Sequence, residues 1–290
     1  MLTCPECGAE LKEGAKFCME CGTSIPQVKE CPECGTELPV KAKFCYECGA
    51  SQDAEDVEEE EDELADDEPA PGCTVLAQNK EHLQQLIDEA IDEDGVECDL
   101  NFIDVRLIKD MSSLFAWDED SHRHEFKGDI SQWNVSNVED MSCMFYGSEF
   151  DGDISDWDVS CVTDMHEMFV QSKFNGDISL WDVSSVTTMH EMFNESWFDG
   201  DISQWDVSSV TDMGSMFLNS QSEFSYGFDG WDVSKVKTMS AMFMNCRFSD
   251  CDMMYSCLSR WRVSRLACTG RMFDGSSLEQ FGRLPRWYRG

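Results

Sequence analysis

The sequence predicts a repeat solenoid preceded by two small metal-stabilised modules. A phrase of the type GDIS-x-W-[DN]-V-S-x-V begins at Gly128, Gly152, Gly176 and Gly200, so it recurs at a constant interval. A fixed period of this kind is typical of a solenoid, in which each unit buries its apolar edge against its neighbours. The pattern Cys-x-x-Cys also occurs four times near the start of the chain, which indicates metal binding.

The composition limits the classes of partner. The chain has 290 residues and a formal net charge of −38, so most of its surface repels nucleic acid and anionic membranes. It contains no apolar run of about 18 residues, so no transmembrane helix is expected. The first residues, MLTCPECGAELKEG, lack the basic and apolar regions of a classical signal peptide.

The N-terminal part of the chain contains two similar cysteine-rich modules, in residues 1–25 and 26–50. In both, the two Cys-x-x-Cys pairs are separated by the same number of residues. Four thiolates suit tetrahedral zinc, and a module of this size needs a metal because it cannot bury enough apolar surface. We therefore predict two structural zinc ions, with disulfides or redox pairs as alternatives. The predicted ligands are Cys4, Cys7, Cys18 and Cys21 for the first ion, and Cys31, Cys34, Cys45 and Cys48 for the second.

This arrangement resembles the double zinc ribbon at the N-termini of many bacterial proteins. Each site has four protein ligands, so no coordination position remains for catalysis. Zinc thiolates persist in a reducing cytosol, which favours a cytoplasmic location. The other eight cysteines form no Cys-x-x-Cys pair, and we expect them to be buried or half-buried free thiols.

Two connecting segments follow the ribbons. Residues 51–72 are predicted to form an acidic, disordered linker, because the run from Asp53 to Glu68 is almost continuous acid. An acidic docking tail for a basic partner is the alternative. Residues 73–98 are predicted to form a helical N-terminal cap for the solenoid, with Asn79 as N-cap and Gly95 beyond the C-terminus. The apolar face of this helix consists of Leu83, Leu86, Ile87, Ala90 and Ile91.

Residues 99–290 are predicted to form seven coils. One column of the alignment contains Ile103, Trp133, Trp157, Trp181, Trp205, Trp231 and Trp261. A second column, later in each coil, contains Phe115, Phe145, Phe169, Phe193, Phe217, Phe243 and Phe273. The spacing widens toward the C-terminus, where we expect inserted loops. We expect the Trp, Met and Phe columns each to stack along the axis as core.

Each coil is predicted to contain a short parallel strand and a short helix. The GDIS segment is predicted to form the strand, which would lie roughly 4.8 Å from the equivalent strand of each neighbouring coil. From the second Val onward, apolar residues fall at i, i+3, i+6 and i+7, as on a helical face. A serine two residues before that Val, such as Ser184 or Ser208, is a reasonable N-cap.

The repeat unit F-[ND]-G-D-I-S-x-W-[DN]-V-S-x-V-x-x-M-x-x-M-F resembles the BspA-like leucine-rich repeat family of bacterial proteins. The resemblance covers about residues 98–290. It implies a leucine-rich-repeat-like solenoid that is used for adhesion or protein–protein contact. Many members are surface proteins, and this chain departs from them because it has no recognisable export signal.

Three groups of polar residues have more than one interpretation. His166 and His190 occupy one column, which reads as a solvated face, with an adventitious metal site as the alternative. Two Asp columns are expected to accept backbone N–H bonds in their own turns, with calcium binding as the alternative. These are Asp129, Asp153, Asp177 and Asp201, and Asp158, Asp182, Asp206 and Asp232.

The third group is a set of seven arginines near the C-terminus, with interleaved aromatic residues. We expect them to contact the acidic repeats or another subunit, with nucleic-acid binding as the alternative. The set consists of Arg260, Arg262, Arg265, Arg271, Arg283, Arg286 and Arg289.

The sequence shows no nucleophile–base pair, phosphate-binding loop or open metal site, so we expect no enzymatic activity. The predicted function is that of a cytoplasmic scaffold that binds a protein partner. The alternatives are a bacterial surface or adhesion protein, and a nucleic-acid-associated protein that binds through the ribbons or the arginine-rich C-terminus.

Overall fold

The computed structural model describes residues 72–119 and 121–290, together with the backbone of four short strands near the N-terminus. The chain divides into two compact units, Met1–Asp66 and Asp67–Gly290. This boundary falls inside the segment that was predicted to be an acidic linker.

The described part of the first unit consists of two antiparallel hairpins. Strand β1 (Leu2–Thr3) pairs with β2 (Glu10–Leu11), and β3 (Val28–Glu30) pairs with β4 (Glu37–Pro39). The second hairpin repeats the register of the first, since Leu2 faces Leu11 and the equivalent Lys29 faces Leu38. In sequence, each hairpin encloses one Cys-x-x-Cys pair. The eight predicted zinc ligands lie outside the described residues.

The second unit begins with strand β5 (Val75–Leu76) and helix α1 (Lys80–Asp94). The side chain of Asn79 accepts a bond from the backbone N–H of His82 at 2.9 Å, and the helix ends at Gly95, which has a φ of 88°. The apolar face predicted from the sequence is the buried face, with Leu86 half-buried at its margin. Strand β5 pairs in parallel with β6 (Ile103–Asp104) in the first repeat, so these elements cover the start of the repeats.

The repeats stack on one another through rows of buried aromatic rings. The predicted Phe column from Phe115 to Phe273 has centroid separations of 5.5–5.9 Å, and neighbouring rings lie within 10° of parallel. A second Phe row, not placed by the sequence analysis, packs beside it with separations of 5.9–6.3 Å between its own rings. Its members are Phe126, Phe150, Phe174 and Phe198.

The Trp column joins successive repeats by hydrogen bonds. Each indole N–H donates to a backbone carbonyl of the preceding repeat, as from Trp181 to Ile154 at 3.1 Å. The column also extends beyond the seven predicted coils. Trp287 stacks on Trp261 at 6.3 Å and donates to the carbonyl of Leu258 at 2.7 Å. A partial eighth repeat therefore ends the chain.

The predicted helix in each coil is wrong, because the backbone after each Met forms consecutive turns. In the second coil, the N–H of Met144 bonds to the Met141 carbonyl at 3.2 Å, and Cys143 has a φ of 54°. A positive φ at the third residue of a turn is the type II geometry, and it interrupts the run of right-handed residues that a helix needs. The same conformation recurs at Ser113, Glu167, Glu191, Ser215, Ala241 and Arg271.

The predicted strand in the GDIS segment is also wrong for the central repeats, residues 128–217, where the structure assigns no strand. Adjacent repeats are instead bridged one residue before the first Met of each coil, as between Asp140 and Asp164. Regular elements other than the cap occur mainly where the period breaks. They are a 3₁₀ turn (Arg123–Glu125), strands β7 (Glu223–Phe224) and β8 (Arg247–Phe248), and helices α2 (Cys251–Leu258) and α3 (Ser277–Gln280).

Candidate functional site

A ladder of backbone hydrogen bonds runs along one face of the stacked repeats. In the second coil the N–H groups of Met141, Cys143, Phe145 and Gly147 all donate to carbonyls of the third coil, at 2.7–3.0 Å. The intervening residues bond within their own coil. The positive φ at alternate turns directs these N–H groups along the axis. We use the term ladder face for the surface formed by the side chains that lie between the buried Met and Phe residues of each coil, beginning with the two positions after the first Met.

The ladder face varies from coil to coil although its backbone does not. Its first two positions after the Met are His166 and Glu167 in the third coil, and His190 and Glu191 in the fourth. In the fifth coil they are Gly214 and a serine, and in the sixth a serine and an alanine. The core columns are nearly invariant by comparison, so differences between coils concentrate on this surface.

The two histidines lie among carboxylates. His166 Nδ1 lies 2.8 Å from Asp164 Oδ1, and the ring nitrogens of His190 lie 3.2 Å from Glu191 and 3.5 Å from Asp212. Their side chains are about two-fifths exposed, at 38% and 40%, which agrees with a solvated face. Gly214 makes room for the neighbouring imidazole, because a Cβ there would lie 2.9 Å from His190 Nδ1.

A row of side-chain amides and one carboxylate follows at the second positive-φ position of the third to sixth coils. Gln171 donates to Glu195 at 2.8 Å, Asn219 donates to the same carboxylate at 3.3 Å, and Asn245 donates to Asn219 at 2.7 Å. The sequence analysis missed this row. A column rich in Gly and Asn at the repeat spacing was the available signal, because these residues tolerate positive φ best.

The Asp columns make the turn hydrogen bonds that were predicted for them. Asp153 accepts from the backbone N–H of Ser155 at 3.0 Å, and Asp182 accepts from the backbone N–H of Ser184 at 3.1 Å. These bonds to serine hold the pKa values of both carboxyl groups below the usual range. Asn134 occupies the same position in the second coil and makes the same bond at 3.2 Å. Over residues 72–119 and 121–290, no group of three or more metal-ligating side chains is arranged to hold an ion.

Part of the C-terminal arginine set contacts acidic residues of the repeats, as expected. Arg260 pairs with Asp229 of the preceding coil at 2.8 Å, and Arg283 pairs with Asp252. Arg271 pairs locally with Asp274 at 3.1 Å. The first two pairs connect successive repeats at the surface, whereas the third lies within one coil.

The eight cysteines of the second unit are free thiols, but two of them are exposed rather than buried. These are Cys161 and Cys268. Burial raises the pKa of Cys143 to about 11, and the carboxylate of Glu167 adds to that rise. In contrast, the hydroxyl of Ser240 lowers the pKa of the exposed Cys268 thiol.

Both the cysteine-rich part and the repeat part of the chain match known protein families. Residues 4–49 match the double zinc ribbon. Residues 82–196 and 170–282 each match the family described as Mycoplasma protein of unknown function, DUF285. The chain belongs to the DUF285 family. The two DUF285 matches overlap because the repeats resemble one another, and together they extend from helix α1 to just beyond α3.

These matches support a repeat protein with an N-terminal zinc ribbon. No curated protein and no solved structure matches the chain. Among the described residues of this DUF285 protein, no helix is both long and apolar enough to cross a membrane.

Proposed function

We propose that this chain is a non-enzymatic scaffold that binds a protein partner through the ladder face. The repeats then form a leucine-rich-repeat-like solenoid of the BspA-like type, tethered by the acidic linker to the double zinc ribbon. The observation that carries the proposal is a regular backbone ladder whose side chains differ between coils, apart from the His-Glu pair that the third and fourth coils share.

The physical basis is that the ladder holds its side chains at fixed spacing. The stacked Phe rings set a repeat of 5.5–5.7 Å in the central coils, so an extended partner would meet one coil after another in constant register. The positions are ordered before binding, which reduces the entropy lost on association. The polar groups of the Asp columns already bond within their own turns, which supports a binding role over a catalytic one.

For the N-terminal module we propose two structural zinc ions, one held by each set of four cysteines. The match to the double zinc ribbon and the shared register of the two hairpins support equivalent sites. Cysteine-ligated zinc is compatible with a reducing compartment, so we propose a cytoplasmic location. Cell fractionation that finds the chain only at the cell surface would contradict that location.

Two charge-reversal variants of the third coil test the binding proposal. Glu167→Lys changes the ladder face, whereas Asp156→Lys makes the same change of charge beside the indole column. Affinity capture from host lysate should recover a protein with the native chain and with Asp156→Lys, and lose it with Glu167→Lys. Equal recovery with all three would exclude the ladder face, and no specific recovery with any would contradict the scaffold function.

A further inference from the structure

The C-terminal end of the repeats reverses the charge of the chain. From Arg260 to Gly290 there are seven arginines and two acidic side chains, in a protein of net charge −38. The reversal occurs within single columns. The position after each indole is aspartate from the third to the sixth coil and becomes Arg262 in the seventh. The position before each indole, which is acidic only in the third coil and uncharged in the second, fourth, fifth and sixth, becomes Arg260 and then Arg286 in the last two repeats.

The stacking of the last indoles brings these arginines together. Trp261 and Trp287 lie 6.3 Å apart and within 14° of parallel, so the residues beside them occupy adjacent repeats. Arg289 takes the position at which Val233 is buried two repeats earlier, but its own side chain is exposed. We call the exposed residues Arg260, Arg262, Arg265, Arg286 and Arg289 the C-terminal arginine cluster.

Contacts within the repeats account for only part of this cluster. Arg260 pairs with Asp229, and the positive charge of Arg262 acts on the carboxylate of Asp232. Among the described residues, no carboxylate lies within ion-pairing distance of four members of the cluster. These members are Arg262, Arg265, Arg286 and Arg289. Contacts within the repeats therefore leave most of the cluster without a paired carboxylate.

We propose that the C-terminal arginine cluster binds an acidic segment of a partner polypeptide. A guanidinium group presents a planar fork of donors that matches a carboxylate, so several of them at repeat spacing suit consecutive Glu or Asp side chains. The cluster uses residues other than those of the ladder face, and its role does not depend on that face.

The environment of the aromatic residues favours an acidic peptide over nucleic acid. Proteins bind single-stranded nucleic acid by combining a positively charged groove with free aromatic faces on which the bases stack. Trp287 packs against Trp261 and donates its N–H to Leu258, and Tyr288 packs edge-on against Phe273 at 5.0 Å.

Fluorescence anisotropy with the full-length chain tests this proposal. The probes are a labelled oligoglutamate decamer and a labelled single-stranded DNA decamer. We expect the oligoglutamate to bind at low salt, and its affinity to fall about tenfold when the salt concentration is raised several-fold, because the contacts are between charges. The DNA should bind more weakly at both salt concentrations.

A pair of double variants locates the binding site. Arg286→Gln with Arg289→Gln should weaken oligoglutamate binding about tenfold, because it removes two unpaired guanidinium groups. Lys109→Gln with Lys127→Gln removes the same charge from the first two repeats and should leave affinity unchanged. Urea unfolding midpoints of both variants should match the native chain, since these side chains are largely exposed. Absence of oligoglutamate binding, equal loss in both variants, or tighter binding of the DNA would each overturn the proposal.

Discussion

Truncation of one ring in the middle of the Phe column should be strongly destabilising. Phe193 is 1% exposed, and its ring lies 5.6 Å from Phe169, 5.7 Å from Phe217 and 4.4 Å from Phe198. Phe193→Ala removes about 100 Å² of buried apolar surface, which corresponds to about 2.5 kcal/mol. The lost ring contacts add about 1–2 kcal/mol, so the expected decrease in unfolding free energy is about 4 kcal/mol.

Urea unfolding monitored by tryptophan fluorescence measures this decrease, and two variants serve as references. Phe273→Ala is equally buried, and its ring meets Phe243 on one side and Trp287 and Tyr288 on the other, so its loss should lie within about 1 kcal/mol of that of Phe193→Ala. Leu180→Ala, at a side chain that is 90% exposed, should change stability by less than about 0.5 kcal/mol. A loss below about 1.5 kcal/mol for Phe193→Ala or for Phe273→Ala would refute the argument from ring contacts.

Three further predictions follow from local geometry, and a fourth follows from the spacing of the N-terminal cysteines. Ser215 has a φ of 53°, a conformation that glycine adopts at lower cost than serine. In urea unfolding, Ser215→Gly should therefore be more stable by about 1 kcal/mol than Ser209→Gly, the same substitution at a residue without a positive φ. The reverse order would contradict the turn assignment. The pKa of Asp182 is lowered in the folded protein, so its ionised carboxylate stabilises the fold above the unfolded-state pKa near 4. The native protein should therefore be more stable than Asp182→Asn at pH 6, and this difference should vanish as the pH falls through the lowered pKa. A difference that persists at pH 2 would argue against the turn bond. At pH 8, iodoacetamide should modify Cys268 more than about tenfold faster than Cys143, as followed by peptide mass spectrometry. The reason is that the Cys143 thiol, with a pKa of about 11, is almost entirely protonated at this pH. Equal rates would contradict the burial of Cys143. Metal analysis should find about two zinc per chain, and one or none would contradict two four-cysteine sites.

The repeat itself was predictable because its signal is the constant number of residues between equivalent positions in the sequence. The recurrence of Trp, Met and Phe at a constant interval requires equivalent surroundings for each copy, so it identified the core columns that the structure buries. Helix α1 was predictable for a similar reason, since a side chain that caps its start and a Gly at its end are local signals.

The secondary structure inside each coil was not predictable in the same way. The spacing i, i+3, i+6 and i+7 fits a helical face, but a series of type II turns places Met and Phe inward at the same intervals. The decisive feature is the positive φ at residues such as Glu167 and Glu191, which seldom adopt it. That conformation is stabilised by hydrogen bonds to the next coil, so it depends on partners that are distant in the sequence.

The sequence by itself determined the composition of this protein's parts: a cysteine-rich module, an acidic run, a capping helix and a repeat with buried aromatic columns. The reason is that spacing, charge and capping act within a short stretch of chain. Only the tertiary structure decided where the backbone donors point, which arginines find a carboxylate, and how far the Trp column extends. Those outcomes depend on neighbouring coils, and whether a coil has a neighbour on both sides is a property of the assembled stack.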